Sequence, residues 1–591
     1  MRPILATAGL LLALSSSASV QLPAIISDGL VLQQGVPIVL WGWADPGEGV
    51  SAWIGTSSGT TQALEDGTWR LALPPLDAGG PHELVISGAS DTLRVVDVLV
   101  GEVWLGSGQS NMRWPVSGAA DAEQEIRAAD YPALRMFTVE RNATAEPQRD
   151  VAGNWRTARP GEIAEFSAVG YFFSRHLHRE LGVPVGFIHS SWGGTPAEAW
   201  TRRDAFDKPT LAPVLARQTQ AMEGMAKDRA AFDLSLSRLE PAMPSSNDLE
   251  GVWDTLMAFG QQEFQFPMVI TVDADVPTVA FDGFGTEVAA PVDISADGVG
   301  WTFVAKSGGE TTVRAIYGPG VMSGTVSTSQ SQLSIKSQKR DPEAGAPVLV
   351  GIAPSGRVSH LFNAMIDPIT PYRIKGVVWY QGESNAKPDQ AYLYAELFAT
   401  MIEDWRLAWA QPLPFYFVQL ANFGARETEP PLDSPWAEVR DAQRRTLALP
   451  HTAMAVAIDI GEADDIHPRN KQEVGRRLAL AALARQYGKL IAYSGPLYRE
   501  ARFDKAEVEV SFDHAEGLNT VGGDEVVGFA IAGADRKFVW ANARIKGERV
   551  VVWSDAVRSP QSVRYGWGVN PATNLTNGAG LPASPFRTDQ W

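Results

Sequence analysis

The sequence predicts an α/β protein: a parallel sheet covered by helices, split by a β-rich insertion and flanked by β-structure before and after it. Three observations predict this. Apolar runs that end in glycine-rich turns and lead into helical spacing recur along the chain, as in strand–helix alternation. Between two blocks of that texture lies a stretch of short alternating runs rich in glycine. Similar short runs, broken by Gly, Pro and Asp, open and close the chain.

The chain begins "MRPILATAGLLLALSSSASVQLP". One arginine precedes an apolar run from Ile4 to Leu14, and small residues follow through Val20. This predicts a signal peptide over residues 1–20, cleaved near Ala18 to Val20, and hence an exported protein. The apolar run is shorter than the ~20 residues a membrane-spanning helix needs, so no membrane insertion is expected after cleavage. Residues 21–100 alternate in short runs and predict an N-terminal β-sandwich. Residues 101–240 read as the first part of the α/β core. "SAVGYFFSRHLHRELG" has helical spacing with Gly182 as its stop, and "VPVGFIHSSWGGTPAEAW" reads as buried strand, glycine-rich turn and helix start. "PAMPSSNDLE" reads as a linker into a β-rich inserted domain over 241–345. The core resumes over 346–495 with "GVVWYQGESNA", "FYFVQL", "TAMAVAIDI" and a helix in "HPRNKQEVGRRLALAALARQYG", which has Pro468 near its first turn and Gly488 as its stop. Residues 496–591 turn β-rich again.

The composition narrows the function. A chain of 591 residues is too long for one ordinary core. The net charge of −18 repels nucleic acid and anionic membranes, so neither is an expected partner. There is no cysteine, which excludes disulfides, thiol nucleophiles and thiolate metal sites. Eight histidines leave few candidates for a base or a metal ligand, and no metal site is predicted.

Four polar turns follow four apolar runs. They are Gly108-Gln109-Ser110-Asn111, Ser191-Trp192-Gly193-Gly194-Thr195, Gln381-Gly382-Glu383-Ser384-Asn385, and Asp464-Asp465-Ile466-His467-Pro468. Together they supply the parts of a serine hydrolase. A serine needs a base to take its proton, and a carboxylate that orients the histidine makes it that base. Ser110 is the candidate nucleophile, His467 the base, and Asp464 or Asp465 the carboxylate. The oxyanion needs donors; the Ser110 backbone N–H, an N–H of Gly193 or Gly194, and the Asn385 amide are the candidates. Gln109, Trp114, Trp192, Gln381 and Arg113 are the candidates for substrate contacts, because a tryptophan face suits the apolar C–H face of a sugar. His189 reads as a core or edge histidine, His176 and His178 as a packing and surface pair, and Glu383 as a structural residue of its turn. The G-x-S-x-G elbow is absent, since Ser110 is followed by Asn111 and Met112.

The stretches "GEVWLGSGQSNM", "SWGGTPAEAW", "WYQGESNA" and "DDIHPRNKQEVGRRLA", with the ending "VRYGWGVNPATNLTNGAGLPASPFRTDQW", resemble the sialate O-acetylesterase-like carbohydrate esterases of the SGNH hydrolase superfamily. The resemblance runs from about residue 24 to 591 and is weakest over 240–340. It implies a flavodoxin-like SGNH core interrupted by a β-domain, and no cofactor. It implies Ser110 as nucleophile, Gly194 in preference to Gly193 and then Asn385 as oxyanion donors, and His467 as base. The superfamily's D-x-x-H spacing selects Asp464, while relatives with aspartate directly before Ile-His-Pro select Asp465; the reading leans to Asp464. The implied reaction removes acetyl groups from O-acetyl sialic acids or from acetylated plant polysaccharides such as xyloglucan. A sialate carboxylate would call for an arginine, with Arg113, Arg202 and Arg203 as candidates. The competing expectations are a lipase or thioesterase with an apolar acyl groove, and a non-catalytic carbohydrate-binding protein.

Overall fold

The strand Thr92–Gly108 (β1) runs for 17 residues and belongs to two layers at once. The computed structural model describes residues 20–591 except 260–261, 284–285, 306–307, 330 and 344, so the expected signal peptide, Val20 apart, lies outside the described residues. The first half of β1 pairs antiparallel with Gly79–Ser87 and, near Leu99–Gly101, parallel with Val31–Gln33. Its second half is the centre of a parallel sheet. The expected boundary at residue 100 therefore falls within one continuous strand.

That sheet contains Tyr131–Thr138 (β2), Trp155–Ala158 (β3), Val185–Ser191 (β4), Gly376–Tyr380 (β5), Phe415–Gln419 (β6) and Thr452–Val456 (β7). The spatial order is β7-β6-β5-β1-β4-β2-β3, parallel throughout except for the antiparallel edge pair β2–β3. Every residue of β4, β5, β6 and β7 is buried. Their unbroken apolar runs are what a parallel sheet covered on both faces requires. Helix α1, Ala168–Leu181, starts at Ser167, whose Oγ accepts the Gly170 N–H at 3.1 Å, and stops at Gly182 with φ +70°. Helix α2, Tyr394–Trp409, packs on α3, Pro435–Thr446, and α1 packs on α4, Lys471–Gln486. Asn470 caps α4, its Oδ1 accepting the Glu473 N–H at 3.1 Å; Pro468 lies two residues ahead of that cap.

The chain divides into two compact units: one is the chain up to Leu211 together with Pro354–Trp591, the other is Ala212–Ala353. The second unit starts and ends outside the expected 241–345. Its helix Ala212–Ser237 buries Phe232 in a small cluster with Leu256 and Leu349, so the helix packs on the sheet apart from the sheet's main interior. The rest of this unit is a nine-stranded antiparallel sheet with Trp253, Met268, Trp301, Tyr317 and Ile335 in its interior. Residues 497–587 form two four-stranded antiparallel sheets and a short two-stranded one around Val510, Phe529, Ile531, Val550, Tyr565 and Phe586. Among the described residues no helix is long and apolar enough to cross a membrane.

Candidate functional site

Three of the four turns meet because their strands do. Gly108 at the end of β1 is in register with Ser191 at the end of β4 and with Tyr380 at the end of β5. The sequence order of the strands reverses at β1, and ligands of open α/β sheets bind at the carboxyl ends beside such a reversal. Two bonds stitch the turns together: Gln109 N–H to the Tyr380 carbonyl (3.0 Å) and Trp192 N–H to the Gly108 carbonyl (3.1 Å). Gly108 has φ +131°, and a Cβ there would sit 2.2 Å from the Tyr380 carbonyl oxygen; only glycine lets the strand end so close to its neighbour.

Ser110 opens the short helical turn Ser110–Arg113. The first helical bonds run from Met112 and Arg113 N–H to the Gln109 carbonyl (3.0 and 3.1 Å), so the Ser110 N–H stands ahead of that ladder. Gly193 backs directly onto the serine, where an added Cβ would lie 3.2 Å from Ser110 Cβ. Ser110 and His467 line one cavity of about 880 Å³, with Arg113, Trp114, Glu140, Arg141, Glu165, His189, Ser191 and Trp192 around them. The Trp114 ring stacks on the His467 imidazole, centroids 4.8 Å apart and planes 13° apart. The Trp114 indole N–H is held by the Gly118 carbonyl at 2.7 Å.

Asp465, not Asp464, faces the imidazole. Its Oδ1 lies 3.4 Å from His467 Nδ1 and accepts the His467 backbone N–H at 2.8 Å. An aspartate accepting the N–H two residues on folds its carboxylate back over its own loop. Asp464 is exposed to solvent. The reading leans to Asp464; the structure instead sets Asp465 beside the imidazole, because the two-residue spacing makes the local turn. Burial lowers the His467 pKa, Asp465 raises it, and Lys471 lowers it, with a net fall below the ordinary histidine value.

Residues 349–484 match the family described as carbohydrate esterase, sialic acid-specific acetylesterase. The chain is 26% identical to mouse sialate O-acetylesterase over 600 residues, 93% of this chain and 90% of that one. It is 27% identical to the human sialate O-acetylesterase over 523 residues, 82% and 74% of the two chains. A crystal structure of a carbohydrate acetylesterase from Xanthomonas citri is 34% identical, covers 97% of this chain and 100% of that one, and superposes with a TM-score of 0.70. The chain belongs to this carbohydrate esterase family.

Within this carbohydrate esterase, not every expected site residue reaches the cavity. Gln109 is buried and its Oε1 accepts the Ser384 N–H at 3.2 Å. Gln381 is fully buried; its Nε2 donates to Asn385 Oδ1 (2.7 Å) and the Thr195 carbonyl (3.2 Å), and its Oε1 accepts the Tyr394 hydroxyl (2.8 Å). Both were expected at the substrate; both instead hold turns together. Asn385 Nδ2 donates to Glu198 Oε2 at 2.8 Å, and its Oδ1 also accepts the Ala197 N–H at 3.0 Å. One of its two amide hydrogens is thus committed, and Asn385, 1% exposed, is not among the residues that line the cavity. Arg202 is bound to Asp404 at 2.7 Å, and Arg203 lies 3.7 Å from Asp207.

The esterase cavity also holds residues that the sequence reading passed over. Glu140 and Arg141 follow β2, a strand hidden in "YPALRMFT". Arg141 lies 5.5 Å from the Trp192 ring centroid. His189 lines the cavity, with its Nε2 2.6 Å from Ser191 Oγ; burial, with Arg113, pushes its pKa down to about 4. Trp114 and Trp192 line the cavity, whereas Trp104, Trp200 and Trp379 are fully buried in the core.

Proposed function

We propose that this carbohydrate O-acetylesterase removes acetyl groups from sugar hydroxyls through an acetyl-enzyme on Ser110. His467 Nε2 takes the Ser110 hydroxyl proton as Oγ bonds to the acyl carbon. The carbonyl oxygen takes the charge, facing the Ser110 N–H, an N–H of the Gly193-Gly194 turn and the Asn385 amide. His467 returns the proton to the sugar oxygen as the ester C–O bond breaks. Water then adds to the acetyl carbon, giving its proton to His467, which passes it to Ser110 Oγ as the Ser110–acetyl bond breaks and acetate leaves. Asp465 orients the imidazole and offsets the imidazolium charge.

The observation that carries this reading is the shared cavity: Ser110 and His467 line one space, with the Trp114 ring stacked on the imidazole. The charged rim of Arg113, Arg141, Glu140 and Glu165 suits a hydroxyl-rich substrate and disfavours the apolar acyl groove of a lipase or thioesterase. The order β7-β6-β5-β1-β4, with β2 and β3 as edge additions, supports a flavodoxin-like SGNH core. The signal-like N-terminus supports export, in bacteria to the periplasm. O-acetyl sialate and acetylated xyloglucan are the two substrate classes. Acetate release from O-acetyl sialic acids, acetyl-xylan and acetyl-xyloglucan by wild type and Ser110→Ala tests the reading. Loss of release in the variant is expected; full activity in Ser110→Ala would overturn it.

A further inference from the structure

We propose that Lys471 is a positioning residue for the esterase reaction: through the side-chain amide of Asn111 it holds the nucleophile turn against the loop that carries His467. The proposal rests on the assignment of Ser110 and His467 above.

Lys471 is fully buried, although it is the first residue of α4. That is a poor place for a cation, since the first turn of a helix favours negative charge and burial strips an ammonium of water. Its Nζ donates to Asn111 Oδ1 at 2.5 Å. It lies 5.4 Å from the Tyr380 ring centroid and 5.9 Å from that of Trp114. The other end of the Asn111 amide makes two bonds: Nδ2 donates to Glu383 Oε1 at 2.6 Å and to the Ile466 carbonyl at 3.0 Å. Asn111 follows Ser110 in the chain, and Ile466 precedes His467. One amide group thus spans nucleophile and base.

An amide has two orientations, and its neighbours choose between them. With an ammonium at one end and a carboxylate and a carbonyl at the other, only the observed orientation satisfies all three. Turned over, it would set NH2 against the Lys471 ammonium and its oxygen against Glu383 and the Ile466 carbonyl. Without Lys471 that preference weakens, and the tie to the His467 loop weakens with it.

Lys471 also acts on the imidazole by charge. The charged groups that act on His467 are Asp465 on its own loop and Lys471 from α4, with Arg113, Glu140, Arg141, Glu165 and His189 around the same cavity; Glu383 from the turn after β5 and Glu462 act on Lys471. Lys471 is the cation among them that holds the proton off His467. Burial brings the Lys471 pKa down to about 7, so it is cationic over the range where His467 titrates.

The test is the pH profile of kcat and kcat/KM for p-nitrophenyl acetate in wild type, Lys471→Met, Lys471→Gln, Asn111→Leu and the Asn111→Leu/Lys471→Met pair. Ser110→Ala and His467→Ala run beside them, and thermal melts report folding. Lys471→Met is expected to lower kcat about 10- to 100-fold with KM within about threefold, and to move the acid limb to higher pH. Lys471→Gln keeps a donor without the charge; it should recover part of kcat while the acid limb stays displaced. The double variant should lose little beyond the larger single loss. An unmoved acid limb in both Lys471 variants, additive losses in the pair, or chains that fold in none of the three Lys471 and Asn111 variants would overturn the proposal. Activity surviving in Ser110→Ala or His467→Ala would instead overturn the assignment beneath it.

Discussion

The carboxylate behind His467 is open to a quantitative test, because two adjacent aspartates differ only in where they point. Replacing Asp465 by asparagine keeps an acceptor for the His467 backbone N–H and removes the charge 3.4 Å from Nδ1. At that distance a unit pair is worth about 1 kcal/mol under bulk-water screening and about 5 kcal/mol at an effective dielectric constant of ~20. The Asp465 side chain is 44% exposed and that of His467 27%, which puts the pair toward the watery limit. The transition-state imidazolium should then lose about 1–2 kcal/mol, a fall of about 5- to 30-fold in kcat. That is far less than the ~10⁴-fold typical when the carboxylate of a buried triad is neutralised. Asp464→Asn, at an exposed position, should stay within about twofold. The assay is kcat on p-nitrophenyl acetate across pH 4–9. Asp465 raises the His467 pKa, so its loss should also move the acid limb to lower pH, opposite in sign to the Lys471 variants. A larger loss in Asp464→Asn than in Asp465→Asn, or an acid limb that moves up, would refute this assignment.

Further outcomes follow from the same geometry. Because the catalytic imidazole must be neutral and burial lowers its pKa, the acid limb of wild-type kcat/KM should fall below the ordinary histidine value of ~6.5; a profile flat down to pH 4 would exclude a histidine base. His189 is neutral above about 4, so His189→Gln should leave the position of that limb where His467 sets it. Gly193→Ala should lower kcat about 10- to 100-fold with little change in melting temperature, since its methyl would stand 3.2 Å from Ser110 Cβ and displace the nucleophile by a few tenths of an ångström. Arg113→Ala and Arg141→Ala should raise KM for O-acetyl sialate more than for neutral acetyl-xyloglucan if the arginines meet a carboxylate; equal changes on both would assign them to the sugar platform around Trp192.

The turns were legible because each carries chemistry-bearing residues straight after an apolar run, and a buried parallel strand is itself such a run. Ser110, His467, Trp114 and Trp192 all reached one cavity by that route. What the sequence hid was direction. Gln109 and Gln381 look like substrate ligands, yet both side chains turn inward: Gln109 accepts the Ser384 N–H of the turn after β5, and Gln381 donates to the Thr195 carbonyl and to Asn385 of its own turn. Asp464 and Asp465 differ by one position, and only the Asx-type fold of the loop chooses between them. Nothing in the sequence marks Lys471, because lysine is almost never fully buried. Its burial follows from Trp114 and Tyr380, which approach it from turns some 360 and 90 positions back in the chain. Glu140 and Arg141 were missed because only four of the eight residues of β2 are buried and one of those four is Arg135, which dilutes the apolar pattern.

The two halves of the site are held by different means, and that decides where it can loosen. Ser110 follows a strand that is hydrogen-bonded on both sides through the parallel sheet and extends back into the N-terminal layer. Moving it means breaking ladder bonds, so the proposed nucleophile is fixed by the fold. His467 sits instead in the irregular stretch between β7 and α4, on side-chain and loop bonds: Asn111 to the Ile466 carbonyl, Asp465 to the His467 N–H, Glu462 to the Arg469 N–H, and Ala120 N–H to the Arg469 carbonyl. Each such bond is worth only about 0.5–1.5 kcal/mol net, so losing one shifts the position of the base without threatening the sheet. Substitutions around this loop should therefore lower kcat while leaving the melting temperature nearly unchanged. Substitutions along β1 should do the reverse, losing folded protein before the activity of what remains. A loop variant such as Glu462→Ala that lost stability in step with activity would mean the base is built into the core, and this division of labour would fail.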